Sequence, residues 1–510
     1  YPYPGQYRIQ IVADDGFDSV RLGDGVNFIT RIDQWAPQHR VGASGPGFTG
    51  DEMSYLLYNQ NCKEIPDYKY TDLTDLKGVF YRNTQLTIKG PDNAKAWSWV
   101  PTELQSVTDM NATFAEVSKY ADDFDTYKDQ FPQLKTSDKL LTCQSSHQYI
   151  YLTGFKTEGG ALTYQPFTNT SKVTNFDYAF AGLKTPTIVV DTQSATTLHT
   201  TFYGMDAVLG VFPFIQTGNV QNFTNTWYSC KGITGFPLID TSSGTIFSNT
   251  WRDCHVLTSF PLIDTSSGTN FTYAWASCYV LDNVANNGEA YSFPLIDTSK
   301  GTNFVRTWQA NQKLTKFPPL DFSNATNIVR CWDTCSRMEN LPTTLNFNKV
   351  TTLEGAWVGC SAMTSFHNYS FAECTVFATA WYACYGLTEF KAIDCPKADT
   401  FQDAFYNCNQ LVELPFLNGF SNARGFKSAF NRMSSMTAWK SGEFTKAENF
   451  LTCWTKCSNL TDFPSGSFDT TGTLLTNAFD GAWTDCALTA QSIENILVSL
   501  DANGQSNIKL

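Results

Sequence analysis

Nine copies of one spacing, in register along the chain, dominate the residues that could do chemistry: an aromatic ring followed three positions later by a cysteine. They are Trp227/Cys230, Trp251/Cys254, Trp275/Cys278, Trp332/Cys335, Trp357/Cys360, Trp381/Cys384, Phe405/Cys408, Trp454/Cys457 and Trp483/Cys486. Thiols in register could ligate a metal or bridge one repeat to the next. Yet Asn311 and Met433 take the same position after Trp308 and Phe430, and the cysteines of CWDTC (Cys331, Cys335) and CWTKC (Cys453, Cys457) lack the C-x-x-C spacing of zinc sites. Fifteen cysteines, an odd number, cannot all pair within the chain. The expectation is small buried thiols that pack as hydrophobes, with no metal and no cofactor.

The five histidines, His39, His147, His199, His255 and His367, stand in no H-E-x-x-H spacing, and neither a G-x-S-x-G elbow nor a phosphate-binding glycine loop occurs. A carboxylate pair for glycoside hydrolysis is defined by separation in space, which chain spacing does not give. One acid recurs, as Asp240, Asp264, Asp297 and Asp321. The row could be catalytic or hold calcium, but a side-chain cap on the Thr-Ser turn that follows is the expected role. The chain is therefore expected not to be an enzyme.

The elements that position these residues are repeats. Most neighbouring anchors lie 24 or 25 residues apart, and the phrase FPLIDTSSG occurs twice, from Phe236 and from Phe260. The longer step from Trp275 to Trp308 carries an insert, Asp282 to Ala290, expected to be a loop. Nine residues after each anchor stands a second apolar position (Phe236, Phe260, Phe317, Leu341, Phe366, Phe390, Leu414, Trp439, Phe463), within an L-x-x-F-x-L pattern such as Leu257, Phe260, Leu262. That pattern predicts a short strand pointing alternate residues inward; Asp-Thr-Ser-Gly predicts a turn, and segments such as NFTYAWASC predict a helical turn. One such coil cannot bury its own apolar face, whereas stacked coils can. The fold class expected is an α/β solenoid, a leucine-rich-repeat-like right-handed coil of about 24-residue repeats. Roughly 13 coils between Phe176 and Cys486 would make a rod about 60 Å long. The segments around Phe80 and Phe114 look like degenerate copies.

Domain limits follow: 1–54, near-alternating and broken by Asp-Gly turns, as an N-terminal β cap or attachment domain; 55–170 as degenerate or interrupted repeats; 171–487 as the regular solenoid; 488–510 as a capping helix and the start of a strand. That helix is predicted from Ile493, Ile496, Leu497 and Leu500, with Thr489 as N-cap and Gly504 as stop.

Composition bounds the partners. A formal charge of −13 and no basic run argue against nucleic acid, and no 18-residue apolar window is present to insert in a membrane. The chain opens on Tyr1 without a signal-peptide pattern, which points to processing or to a start inside a longer product.

The aromatic-x-x-C turn paired with an L-x-x-[FL]-x-L strand resembles the BspA-like leucine-rich repeats and the related repeat of mycoplasma surface lipoproteins, over about residues 170 to 490. The wording FPLIDTSSGTNF, AW-x-x-C and the closing FDTTGTLLTNAFDGAWTDCALTAQSIENILVSLDANGQSNI is similar to versions in structural proteins of marine tailed phages, where more sequence generally follows the closing helix. The resemblance implies a virion surface protein, such as a tail fibre, receptor-binding protein or capsid decoration, at the virion surface. It implies as alternative a BspA-type adhesin at the bacterial surface, and less so a polysaccharide-degrading spike. Implied partners are a host surface glycan or protein and other virion subunits, with a homotrimer by analogy if it is a fibre. Seven Asn-x-Ser/Thr sequons are then copies of the repeat and not glycosylation sites.

The residues that refuse to repeat mark the surface. After the anchor come Tyr228, Arg252, Ala276, Gln309, Asp333, Val358, Tyr382 and Tyr406; after the cysteine come Lys231, His255, Tyr279, Gln312, Ser336, Ser361, Tyr385 and Asn409. Both columns are expected to be exposed, and Tyr228, Arg252, His255, Tyr279, Tyr382, Tyr385 and Tyr406 are the candidate binding surface.

Overall fold

The computed structural model describes residue 63 and residues 75–89, 95–157, 159–415, 417–440 and 444–504. The expected N-terminal cap over 1–54 and the strand start after 504 lie outside these. The chain divides into two compact units, Tyr1–Ala207 and Val208–Leu510.

In the second unit, Asn222, Ile246, Asn270, Asn303, Asn327, Thr352, Val376, Thr400, Gly425 and Asn449 bridge in parallel, each to the next. Each stands five residues before an anchor ring, so the repeats stack coil on coil. The anchors stack with them: the indoles of Trp227, Trp251, Trp275, Trp308, Trp332, Trp357 and Trp381 lie within 9° of parallel, at centroid separations of 5.2 to 6.1 Å. A second row, Phe223, Phe247, Phe271 and Phe304, repeats at 5.3 to 5.4 Å. The phenylalanine nine residues on closes the core edge-on, as Phe260 does against Trp251 at 4.8 Å. All are buried.

The helical turn expected around each anchor is not a helix. Phe247, Asn249, Trp251 and Asp253 each donate a backbone N–H to the next coil, on Asn270, Thr272, Ala274 and Ala276, while Thr250, Arg252 and Cys254 donate three residues back. Alternate residues two before and two after the anchor are left-handed, as at Asn249 (φ 53°) and Asp253 (φ 58°). The segment is thus a run of successive turns that pairs between coils like a strand edge. A left-handed non-glycine residue costs about 1 kcal/mol, and the inter-coil hydrogen bond it allows is worth a similar amount, so the conformation persists because it is stacked.

The expected strand is correspondingly short. In this unit it survives as Gly210–Val211 against Ile233–Gly235 and Ser365–Phe366 against Glu389–Phe390. Proline explains the loss in the FPLI coils: Pro261 has no N–H for a ladder. Ile263 donates instead to Pro261 two residues back, and the alternation shifts by one. Leu262, expected inside, is therefore 61% exposed and Ile263 is buried. The α component of the expected fold class shrinks, among the described residues, to three helices: α1 (Phe124–Tyr127), α2 (Asn283–Asn287) and α3 (Ala490–Ala502).

The turn follows expectation. Asp240, Asp264, Asp297 and Asp321 each accept, through Oδ1, the N–H two residues on, at 2.7 to 3.0 Å. Thr241, Thr265 and Thr298 bury hydroxyls that donate to the carbonyl of the next coil's aspartate. At Gly268 a Cβ would sit 2.5 Å from the Phe271 ring, so only glycine lets the turn close over the phenylalanine row.

The insert after Trp275 holds α2, not merely a loop. Asp282 caps it through Val284 N–H, and buried Asn283 makes both backbone hydrogen bonds to Phe260 that a neighbouring strand would have made. At the C-terminal end Thr489 caps α3 and Gly504 is left-handed, as expected. The buried stripe is Ser492, Ile496, Ser499 and Leu500, however, while Ile493 and Leu497 are exposed. The serines turn inward because their hydroxyls accept the otherwise unpaired N–H groups of Phe463 and Phe468.

In the first unit the bridges run Asp75, Asp109, Thr142, Asn175, Thr197, five residues before Phe80, Phe114, His147, Phe180 and Phe202. The segment before 170 therefore keeps the register at steps of 33 and 34 residues, with a histidine at one anchor.

The fourteen described cysteines are thiols outside any disulfide, all buried except half-buried Cys486. Each repeat thiol from Cys254 onward donates to the carbonyl of the preceding coil's anchor: Cys254 to Trp227 at 3.4 Å, Cys278 to Trp251 at 3.2 Å and Cys384 to Trp357 at 3.1 Å. The expectation of identical thiols that pack purely as hydrophobes is corrected on this point, since the row is also a row of weak hydrogen bonds. Cys230 heads the row. It is fully buried, as a core position should be, and its backbone N–H donates to Trp227 at 3.2 Å.

Burial raises the thiol pKa along the row, to about 12 at Cys408. Cys486 differs: the Cys457 thiol hydrogen-bonds to it and lowers its pKa below the ordinary value. In a Cys62→Ser background, an aromatic disulfide reagent on native protein should react first with Cys486, and Cys486→Ala should remove that fast phase; a fast phase that persists would contradict the assignment.

Candidate functional site

The candidate residues of the second unit sit on the run of turns just described, and the turns decide how they are displayed. The left-handed residues before and after each anchor project side chains onto the same face as the residue following the anchor. Tyr273, Arg306 and Arg330 hold the left-handed position two before their anchors. They contact this face although they stand in neither of the two non-repeating columns.

The side chains interlock along the stack. The Arg252 guanidinium lies 5.2 Å from the Tyr228 ring and 4.4 Å from that of Tyr273, and Arg306 lies 5.3 Å from Tyr273 and donates to its hydroxyl at 2.6 Å. Two coils on, Asp333 accepts from Arg330 at 3.0 Å and from Gln309 at 2.9 Å. Arg252 Nη1 donates to Asn249, whereas its buried Nε has no hydrogen-bond acceptor; Asp253 Oδ1 stands 3.9 Å away. This first island alternates ring and cation, each worth about 0.5–1 kcal/mol at the surface and more when desolvated.

A second island begins at Tyr382, whose ring stacks on Tyr406 at 4.8 Å and 7°, with Arg432 Nε donating to the Tyr406 hydroxyl at 3.0 Å. Burial, then the neighbouring Tyr406, raises the Tyr382 pKa. Asn407 donates to Tyr385 at 3.4 Å. Between the islands Gly355 and Gly359 occupy the two left-handed positions, so of the three positions around that anchor Val358 alone carries a side chain. His255 and Tyr279 form a third stacked pair at 4.8 Å.

The structure therefore groups the seven candidates into Tyr228 with Arg252, His255 with Tyr279, and Tyr382, Tyr385 and Tyr406. It corrects their exposure: Tyr385 is exposed, but the other six are half-buried against one another. Within the same column Ala276 and Asp333 are buried, against the expectation that mixed positions lie open. Variation from coil to coil there records side chains fitted to their neighbours as well as to solvent. The structural candidates behave as expected in burial, since every Trp and Cys of the repeat core from Trp227 and Cys230 to Trp454 and Cys457 is buried.

No protein-family model and no curated protein matches the sequence. Among solved structures the chain is similar to a leucine-rich repeat protein from Bacteroides ovatus, at 15% identity over 56% of this chain and 80% of that one, with a TM-score of 0.34. It is similar also to a leucine-rich repeat protein from Eubacterium ventriosum, at 15% identity over 58% and 82%, with a TM-score of 0.35, and to a TLR13–ssRNA13 complex at 13% identity over 84% and 72%, with a TM-score of 0.18. The neighbours are leucine-rich repeat proteins, but overlap this low carries no argument about function.

Proposed function

We propose that the chain is a non-enzymatic binding protein whose stacked coils display a recognition face, carried at the surface of a tailed-phage virion. The observation that carries the binding reading is the contrast within each coil. Core rings and thiols repeat, while the turn face beside them holds non-repeating Tyr and Arg side chains already fixed in place by their neighbours. Aromatic and arginine side chains held rigid are the residues that dominate binding energy, because little conformational entropy remains to be lost. The thiols support the virion over a secreted adhesin: fourteen cysteines outside any disulfide suit a chain that folds and assembles in a reducing cytoplasm.

The binding test is adsorption of purified full-length chain to host cells and to their isolated envelope glycans. Arg252→Ala combined with Arg306→Ala is expected to weaken adsorption about tenfold or more without altering the circular dichroism spectrum. Adsorption unchanged by the pair would remove the face from consideration. Immunogold labelling of intact particles tests the location; label at a bacterial envelope instead would assign the chain to the BspA-type adhesins.

A further inference from the structure

We propose that a cavity in the first unit, centred on Lys119, is a binding site for a carboxylated sugar. The cavity encloses about 550 Å³, inside the range of small-ligand sites. Its lining includes buried Ala121 and Phe124, the rings of Tyr120 and Tyr151, and the polar Thr153 and Asp125. Tyr120 is 59% exposed.

Three lysines line the cavity, and two are already neutralised. Lys128 pairs with Asp125 at 2.8 Å, and Lys184 with Asp206 at 3.2 Å. Lys119 pairs with no carboxylate among the described residues. Its ammonium is held only by rings, 5.4 Å from Tyr120, 5.6 Å from Tyr149 and 5.4 Å from Tyr151. In a chain of net charge −13, a cation kept at a cavity without a counter-ion is a position an anion would complete. The acidity elsewhere does not forbid it, because charges beyond about 8 Å are screened at physiological salt while a ligand carboxylate would touch the ammonium.

The surroundings choose the anion. A phosphate carries nearly two charges and is ordinarily met by several cations or a row of backbone N–H groups, whereas here one positive charge is uncompensated. A single carboxylate matches it. The exposed Tyr120 side chain and the apolar Ala121 and Phe124 in the lining suit the C–H face of a pyranose ring, which a bare anion does not have. A uronic acid and a sialic acid share this chemistry. Tyr151 and Lys184 stand four residues after His147 and Phe180, the column that supplies His255 and Tyr279 in the second unit.

The test is titration calorimetry on the full chain with trigalacturonate, N-acetylneuraminic acid, maltotriose and inorganic phosphate. At least one of the two acidic sugars should bind, with affinity falling as salt rises, and maltotriose and phosphate should not match it. Lys119→Gln should weaken that binding about tenfold or more, and Lys119→Arg, which keeps the charge, should retain most of it. Arg252→Ala, in the other unit, should leave it unchanged. No binding by either acidic sugar, equal binding by Lys119→Gln, or phosphate binding as tightly as the sugars would each overturn the proposal. Because it concerns only the first unit, host adsorption that survives Lys119→Gln leaves the turn-face reading intact.

Discussion

Trp275→Ala is expected to destabilise the second unit by about 3–5 kcal/mol and to divide its unfolding. The indole is fully buried between Trp251 at 5.2 Å and Trp308 at 6.1 Å, with Phe260 and Phe293 edge-on at 5.5 and 4.9 Å. Removing it leaves a cavity that neither neighbour can fill, since each indole is held by its own coil's hydrogen bonds to the next. Coils contact only their neighbours, so a break in mid-stack uncouples the coils on its two sides. Urea unfolding followed by circular dichroism should show a lower first midpoint and a second transition. Leu262→Ala provides the contrast: equally apolar and only two residues beyond Phe260 of the same core, it is 61% exposed and should cost less than about 0.5 kcal/mol. A single unshifted transition for Trp275→Ala would refute the ladder as the source of stability.

The contrast between Trp275 and Leu262 shows what the sequence could and could not convey. Positions identical from coil to coil read correctly as core, because stacking permits only one solution at a ladder site. The buried rings nine residues beyond each anchor and the Asp-capped turns were legible for that reason. So was the burial of the thiols, although the bonds they make to the coil before depend on a neighbour that chain spacing does not describe. Apolar periodicity failed in two places. NFTYAWASC has helical spacing, yet alternating left-handed residues produce the same inward period with hydrogen bonds that run between coils. FPLI has strand alternation, yet proline removes a donor and the pattern slips by one at Ile263. Neither effect is visible in one coil alone, since each is set by the backbone of the next.

The candidate binding residues were half legible for a related reason. Arg252 and Tyr228 stood out as non-repeating, but Tyr273 and Arg306 stand two before their anchors, outside the two columns that the spacing singled out. Tyr151 and Lys184 were hidden because their anchors keep a longer step than the rest. A step of 33 residues matches the spacing from Trp275 to Trp308, and applying it from Phe114 falls on His147 and then Phe180. An aromatic anchor pattern passes over the histidine.

That histidine yields the second large effect. His147 is fully buried among Phe114, Phe131, Phe155, Phe167 and Phe180, with ring centroids 5.2 to 6.2 Å away, and its Nε2 has no hydrogen-bond partner. Its Nδ1 meets only the Ser146 hydroxyl, at 3.1 Å. Burial therefore disfavours the imidazolium and pushes the pKa down to about 3. In the unfolded chain the same group titrates near 6.5. Between those values the unfolded state takes up a proton the folded state refuses, so stability falls as the pH drops, by about 1.4 kcal/mol per unit, and is independent of this group above 6.5. His147→Phe places at this anchor the ring found at Phe80, Phe114, Phe180 and Phe202 and removes the titration. Urea midpoints of the first unit should then be similar for the two proteins at pH 7.5, and should separate in favour of the variant by about 2 kcal/mol at pH 5. The carboxylates titrate in both proteins and cancel in the difference. Parallel curves from pH 8 to 4.5 would mean that His147 is protonated in the fold, and that a buried partner or water satisfies its Nε2.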